Sequence, residues 1–211
     1  MSNNLASFQS DPTSAGAADA VIPVVQTNLV SDIAGLAIAT DPNLVNPWGV
    51  SFMGGSPFWI SNQGSNSTAL YSVTDSTVVG SPVPVFTVNI PPTGGPGPTG
   101  QVSNTNAQSF HLTAPGDTSA ASFIFADLNG TISAWNPGLG TNGSTAHVEA
   151  TTPGAVYTGL AVNDAHTMLY AANDSAGTID VFNSSFAPVD LGDHAFRTPG
   201  QIAARGSSPS M

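Results

Sequence analysis

The sequence has no cysteine and no lysine, and its only basic residues are Arg197 and Arg205. Without cysteine there is neither a disulfide framework nor a thiolate metal site. Against 13 carboxylates the net charge is −11, so nucleic acid is not expected as a partner, because phosphate binding needs clustered Lys and Arg. An anionic membrane surface is disfavoured for the same reason. No apolar run approaches the ~18 residues of a spanning helix, so no membrane insertion is expected. Met1 to Ala20 lacks a basic stretch and an apolar stretch and does not read as a signal peptide. A leader, if the natural product is exported, would lie outside this sequence. Charged residues make up only 7%, and no long amphipathic helical pattern is found. Low charge with abundant Ser, Thr, Asn and Gly suits a secreted bacterial protein.

What the chain does have is a hairpin signal used three times. Phe123-Ile-Phe-Ala-Asp-Leu-Asn-Gly-Thr-Ile-Ser-Ala-Trp135 sets two β-rich runs around an Asn-Gly pair, whose residues both tolerate positive φ. A near copy runs from Leu169 to Phe182, and a looser one from Phe58 to Tyr71. Three markers hold register. A glycine falls near each first strand at 49, 100 and 159. An Asx residue ends each second strand at 62, 127 and 173. An aromatic closes each third strand at 71, 135 and 182. A constant unit with variable connections is the signature of a repeat array. Four short antiparallel strands per unit predict an all-β fold, a β-propeller with about three four-stranded blades forming a partial ring.

In chain order, residues 1–20 read as a disordered tail and 21–192 as the partial propeller domain. The blades fall at about 47–90, 98–150 and 155–191, and 193–211 reads as an irregular tail. Val21 to Val30 is β-branched and reads as a strand suited to closing a ring. Ser31 to Asn46 has room for one helical turn around Leu36 to Ala39. Pro82 and Pro84 make Val83 to Ile90 an edge strand.

The repeat resembles the NHL/YVTN-type β-propellers through Tyr157 to Val162, Leu169 to Asn173 and Thr178 to Phe182. Longer phrases resemble a family of bacterial propeller-like proteins named for genomes that carry PEP-CTERM sorting signals. These are Thr27 to Asp32, Thr40 to Gly49, Gly130 to Pro137, and Ala172-Asn173 with Ala176 to Phe182. The similarity covers about residues 24–207. That family has no assigned activity, so no functional residue carries over. The resemblance implies a secreted or periplasmic location, and implies more blades than this sequence holds, as in a truncated product or fragment.

Few motifs carry chemistry. Gly95-Pro-Gly-Pro-Thr-Gly100 fits a dinucleotide fingerprint in letters, but its prolines and the strand-like run after it deny it a helix N-terminus. His111, His147, His166 and His194 have no metal-ligand spacing, and His166 reads as a turn residue. There is no G-x-S-x-G and no calcium-loop pattern, so no catalytic and no metal residue is assigned. The binding candidates are Asn62, Asp127 and Asn173, one per unit at a hairpin entrance. Such a set offers a ring of oxygens for a sugar hydroxyl or a cation, Ca²⁺ being the suitable ion, though no cofactor is called for. The competing and heavier reading is that each closes an Asx-turn on its own backbone. Trp48, Trp59, Trp135, Tyr71, Tyr157 and Phe182 offer surfaces for sugar rings, and are weighed more heavily as packing between blades.

These observations lead to a non-enzymatic extracytoplasmic propeller module that binds a protein or carbohydrate surface. The alternative is a lactonase-like hydrolase or lyase with a channel metal, its site incomplete in this stretch. Self-association through open blade faces is expected in either case.

Overall fold

A computed structural model describes residues 26–73, 84–92, 95–116, 118–138, 144–192 and 195–196. The proposed tail at 1–20, the stretch 21–25, His194 and most of 193–211 lie outside the described residues. The chain is all-β. Among the described residues there is no α-helix, only one 3-10 turn at Gln63–Ser65. Three four-stranded antiparallel sheets follow one another along the chain, each a simple meander. Sheet one comprises β3 (Pro47–Ser51), β4 (Phe58–Asn62), β5 (Ser67–Tyr71) and β6 (Pro84–Asn89). Sheet two comprises β7 (Pro98–Ser103), β8 (Phe123–Asp127), β9 (Thr131–Trp135) and β10 (His147–Thr151). Sheet three comprises β11 (Tyr157–Val162), β12 (Met168–Asn173), β13 (Thr178–Asn183) and β14 (Pro188–Val189).

The sequence markers take equivalent places. Phe58 faces Tyr71, Phe123 faces Trp135 and Leu169 faces Phe182 across the three central hairpins. Pro47, Pro98 and Tyr157 face Asn62, Asp127 and Asn173. Each first strand carries a register shift beside its glycine, between 47 and 50, 98 and 101, and 157 and 159. A bulge there twists the strand more strongly and turns its inner end aside. β6, which begins at Pro84, takes the outer edge of sheet one, where proline is tolerated; Pro82 and Val83 lie outside the described residues.

Over the described residues, two expectations about the N-terminal part are not met. Of Val21 to Val30, residues 26–29 are not strand; β1 is only Val30–Ser31, pairing in parallel with β2, Ala39–Thr40. The helical turn at Leu36 to Ala39 does not form. Gly35 at φ +83° bends the chain back so that Ala39 can donate to Leu29 O at 3.0 Å. This segment is held on sheet one by the Tyr71 hydroxyl, which donates to Asp41 Oδ2 at 2.6 Å.

The three sheets stack with their first strands side by side, β7 lying between β3 and β11. Glycine allows this. A Cβ at Gly49 would lie 2.5 Å from Thr99 O of β7, and one at Gly100 would lie 2.2 Å from Leu160 N of β11. Neither neighbour is a flexible side-chain end, so a side chain there must push whole sheets apart. Backbone groups brought this close need partners, and β7 supplies them. Gln101 Nε2 donates to Gly49 O at 2.9 Å and to Trp59 O, while its Oε1 accepts from Thr68. The Thr99 hydroxyl is shared between Tyr157 O at 2.7 Å and Ala126 O at 3.2 Å.

Farther from the first strands the sheets bury apolar side chains. Between sheets one and two, Trp59 stacks on Phe123 at 3.9 Å and meets Trp135 at 4.8 Å, beside Leu70, Val88 and Phe125. Between sheets two and three, Ile124, Ala126, Ile132 and Ala134 meet Tyr157, Leu169, Ala171 and Phe182. Phe110 and Leu112, from the long β7–β8 connection, join this core, and Phe110 packs on Phe186 at 5.2 Å.

Gly100→Ala is therefore expected to cost at least about 2–3 kcal/mol, since overpacking against backbone cannot be relieved by one rotamer. Gly54→Ala, with nothing within 4 Å of the added carbon, should stay within about 0.5 kcal/mol of wild type. Denaturant titration of both variants measures the difference, and equal stabilities would refute the tight approach of β7 and β11.

Candidate functional site

Asn62, Asp127 and Asn173 are all buried at the ends of β4, β8 and β12. The partners of each lie in its own sheet or the turns adjoining it. Asp127 Oδ1 accepts from Asn129 N at 2.7 Å and Thr131 N at 3.2 Å. This carboxylate holds Asn129 at negative φ, so only Gly130 takes positive φ, at +71°, and the connection is a three-residue turn rather than a pair of left-handed residues. Asn173 Oδ1 accepts from Val156 N at 3.2 Å and from Ser175 Oγ at 2.8 Å, and its amide donates to Asp180 Oδ2 at 2.9 Å.

Asn62 differs. Its amide reaches Ser67 Oγ at 3.4 Å, while its buried Oδ1 has no hydrogen-bond partner among the described residues. The cause is local. The N–H groups of Gln63 and Gly64 donate to Asn46 O and Val45 O, the chain segment entering β3, and so are not offered to Asn62.

Burial raises the Asp127 carboxyl to about 6, against the lowering effect of its two N–H donors. The other titratable groups are spread out. His147 Nδ1 lies 3.0 Å from Glu149 Oε1, and Glu149 also accepts from Thr113 N and Thr113 Oγ1, tying the β7–β8 connection to β10. His111 Nδ1 lies 2.7 Å from Thr118 O. His166 sits at φ +51° in a turn organised by Asn163, whose Oδ1 accepts from Thr167 N and Met168 N. Among the described residues no group of three or more His, Cys, Asp or Glu comes together. Gly95 and Gly97 lead into β7, a strand that begins at Pro98 and contains Gly100. The helix N-terminus that a dinucleotide site requires is not at that place.

At the repeat axis a cleft of about 260 Å³ runs across the three first strands. Its floor is Thr99, Gly100 and Gln101; Trp48, Gly49 and Val50 form one wall, and Thr158, Gly159 and Leu160 the other. The lining is neutral and rich in peptide groups, because glycine sits at its centre in every sheet. Of the six repeat aromatics, Trp59, Tyr71, Tyr157 and Phe182 are buried and Trp135 is half-buried, as packing between sheets demands. Trp48 is 48% exposed on the cleft wall. The sequence contained a signal for this. Trp48 stands one residue before its glycine marker, where the other units have Thr99 and Thr158, so it is the one aromatic among the three equivalent residues that line the cleft.

No family model matches the chain. An uncharacterised protein of Acanthamoeba polyphaga mimivirus is 30% identical over 160 residues, which is 75% of this chain and 38% of the viral protein. The chain thus spans well under half the length of that relative. Among solved structures, hydrazine synthase of Kuenenia stuttgartiensis superimposes with a TM-score of 0.48 at 15% identity, covering 74% of this chain and 38% of that one.

Asp127 generates a pH prediction. Its folded pKa, about 6, lies above the 3.8 of the free side chain. Such a group favours the folded state most below about pH 4, and that contribution is lost as pH rises through the folded pKa. Asn keeps the acceptor oxygen and removes the ionisation. Relative to wild type, Asp127→Asn should therefore gain about 2–3 kcal/mol between pH 4 and pH 7. Urea titration at the two pH values measures this, and a difference independent of pH would contradict the burial of an ionisable group there.

Proposed function

We propose that the chain is a β-propeller-type module of three blades, part of a ring, that acts by binding a glycan or protein surface and not by catalysis. Support for the propeller reading comes from three meanders in shared register with their first strands gathered at one axis. The resemblance to NHL/YVTN-type repeats and to propeller-like proteins of PEP-CTERM-containing genomes points the same way, and to a place outside the cytoplasm.

The observation that carries the binding reading is Trp48. An indole left half-exposed over a neutral, glycine-lined cleft presents an apolar face to stack on and a ring N–H at its edge. With the cleft uncharged and the chain strongly acidic, a neutral polar ligand such as a saccharide suits it better than an anion. At the positions equivalent to Trp48 the cleft is lined by the smaller Thr99 and Thr158.

The expected result is saturable binding of a neutral oligosaccharide or polysaccharide, measured by tryptophan fluorescence and co-sedimentation. It should be insensitive to salt, at least tenfold weaker in Trp48→Ala, and unchanged in Asp127→Asn. Binding that survives loss of Trp48 would reject this cleft. Hydrolysis of a lactone by protein loaded stoichiometrically with Ca²⁺ or Zn²⁺ would replace the binding reading with an enzymatic one.

A further inference from the structure

The contact between successive sheets is one relation used twice, and among the described residues nothing covers either half of a third use. Each sheet offers one face, centred on its glycine, to the sheet that follows. Gly49 is met by Thr99 and Gln101, and Gly100 by Gly159 and Leu160. Gly159 is the same position in sheet three, yet a Cβ there would meet only Ala172 of its own sheet, at 3.8 Å. Around it, Ala161 and Ile179 are exposed, and Phe196 lies edge-on to Tyr170 at 5.7 Å on the same face. In sheet two the equivalents of Tyr170, Ala172 and Ile179 are Ile124, Ala126 and Ile132, all buried in the core against sheet three.

The receiving face repeats as well. In sheet three it is Leu160, Val162 and Leu169, all packed into the core against sheet two. In sheet one the same positions are Val50, Phe52 and Phe58, exposed by 58%, 59% and 40%. Phe52 and Phe58 lie against each other at 5.4 Å, a paired aromatic surface with no four-stranded sheet against it among the described residues. The segment around Asp41 covers the Tyr71 part of this face and leaves these three residues open.

We propose that two copies of this chain join head to tail, sheet three of each receiving sheet one of the other. The occupant is a second copy because both complementary surfaces are on this chain, and the new contact continues the one already made between sheets one and two and between two and three. Head-to-tail contacts give closed rings when the rotation permits. Here a two-fold pair makes the contact twice and joins six sheets, within the range of about four to eight blades that close a propeller. Each cleft then becomes half of one central channel, with Trp48 of both copies on its wall. The assembly rests on the stacking relation and is read out independently of any ligand.

Gly159 makes the test clean, because a side chain there is tolerated within one chain and obstructs only the incoming sheet. Sedimentation equilibrium of the full chain over a wide concentration range should give a dimer. Gly159→Val should be monomeric with an unchanged circular dichroism spectrum, and so should Phe52→Asp. Mixing the two variants should restore a dimer, because one of its two contacts then pairs two unaltered faces. A wild-type monomer at every concentration would overturn the proposal, as would a dimer indifferent to Gly159→Val, a mixture that stays monomeric, or an open series of larger oligomers.

Discussion

Three extended backbones approach so closely at the repeat axis that no side chain fits between them. At Gly49 and Gly100 the space where a Cβ would stand is filled by the next strand's peptide groups. Everything else about the arrangement follows from that approach. The bulge beside each glycine twists the strand, so that the sheets diverge outward and open room for large side chains. Trp59, Phe123, Phe125 and Leu70 fill one wedge, and Ile124, Ile132, Leu169 and Phe182 the other. Because the approach exposes strand edges to one another without a ladder between them, carbonyls of Gly49 and Tyr157 rely on side chains of β7. Gln101 and Thr99 are thus part of the backbone accounting and not free cleft donors.

The two wedges differ. Between sheets two and three the core is apolar almost throughout and is extended by Phe110, Leu112 and Phe186. Between sheets one and two the aromatic stack is flanked by buried polar groups. The hydroxyls of Ser51 and Ser61 and the indole N–H of Trp59 have no hydrogen-bond partner among the described residues. In a stacked array, stability is close to a sum over units and their contacts. Sheet one is also held by the Tyr71–Asp41 bond, which fixes residues around 41 against it.

Local chemistry was legible in the sequence, and long-range chemistry was not. Turn residues act on their own neighbours, so Asp127, Gly130 and Asn163 announced the hairpins they close. The glycine, Asx and aromatic markers showed the units because one geometry is imposed three times. Even there, the Asn129-Gly130 pair misled, since the Asp127 carboxylate selects a different turn from the one the pair alone prefers. The segment 26–46 could not be read, because Ala39 and Asp41 find their partners through a bend at Gly35 and a tyrosine 30 residues away. Gln101 gave no sign of its role, as its partners come from another sheet. Trp48 was hidden among aromatics that do pack, and only the comparison with Thr99 and Thr158 sets it apart.

The stacking of the sheets depends on the contact of β3 with β7 and of β7 with β11 at their glycines, and nuclear Overhauser spectroscopy on the labelled chain tests that contact most directly. A Gly100 α-hydrogen should give a strong cross-peak to the amide hydrogen of Leu160, and a Gly49 α-hydrogen to that of Gln101, as the tight approaches at both sites require. If the peaks within each sheet are present and both of these are absent, the sheets do not stack through their first strands.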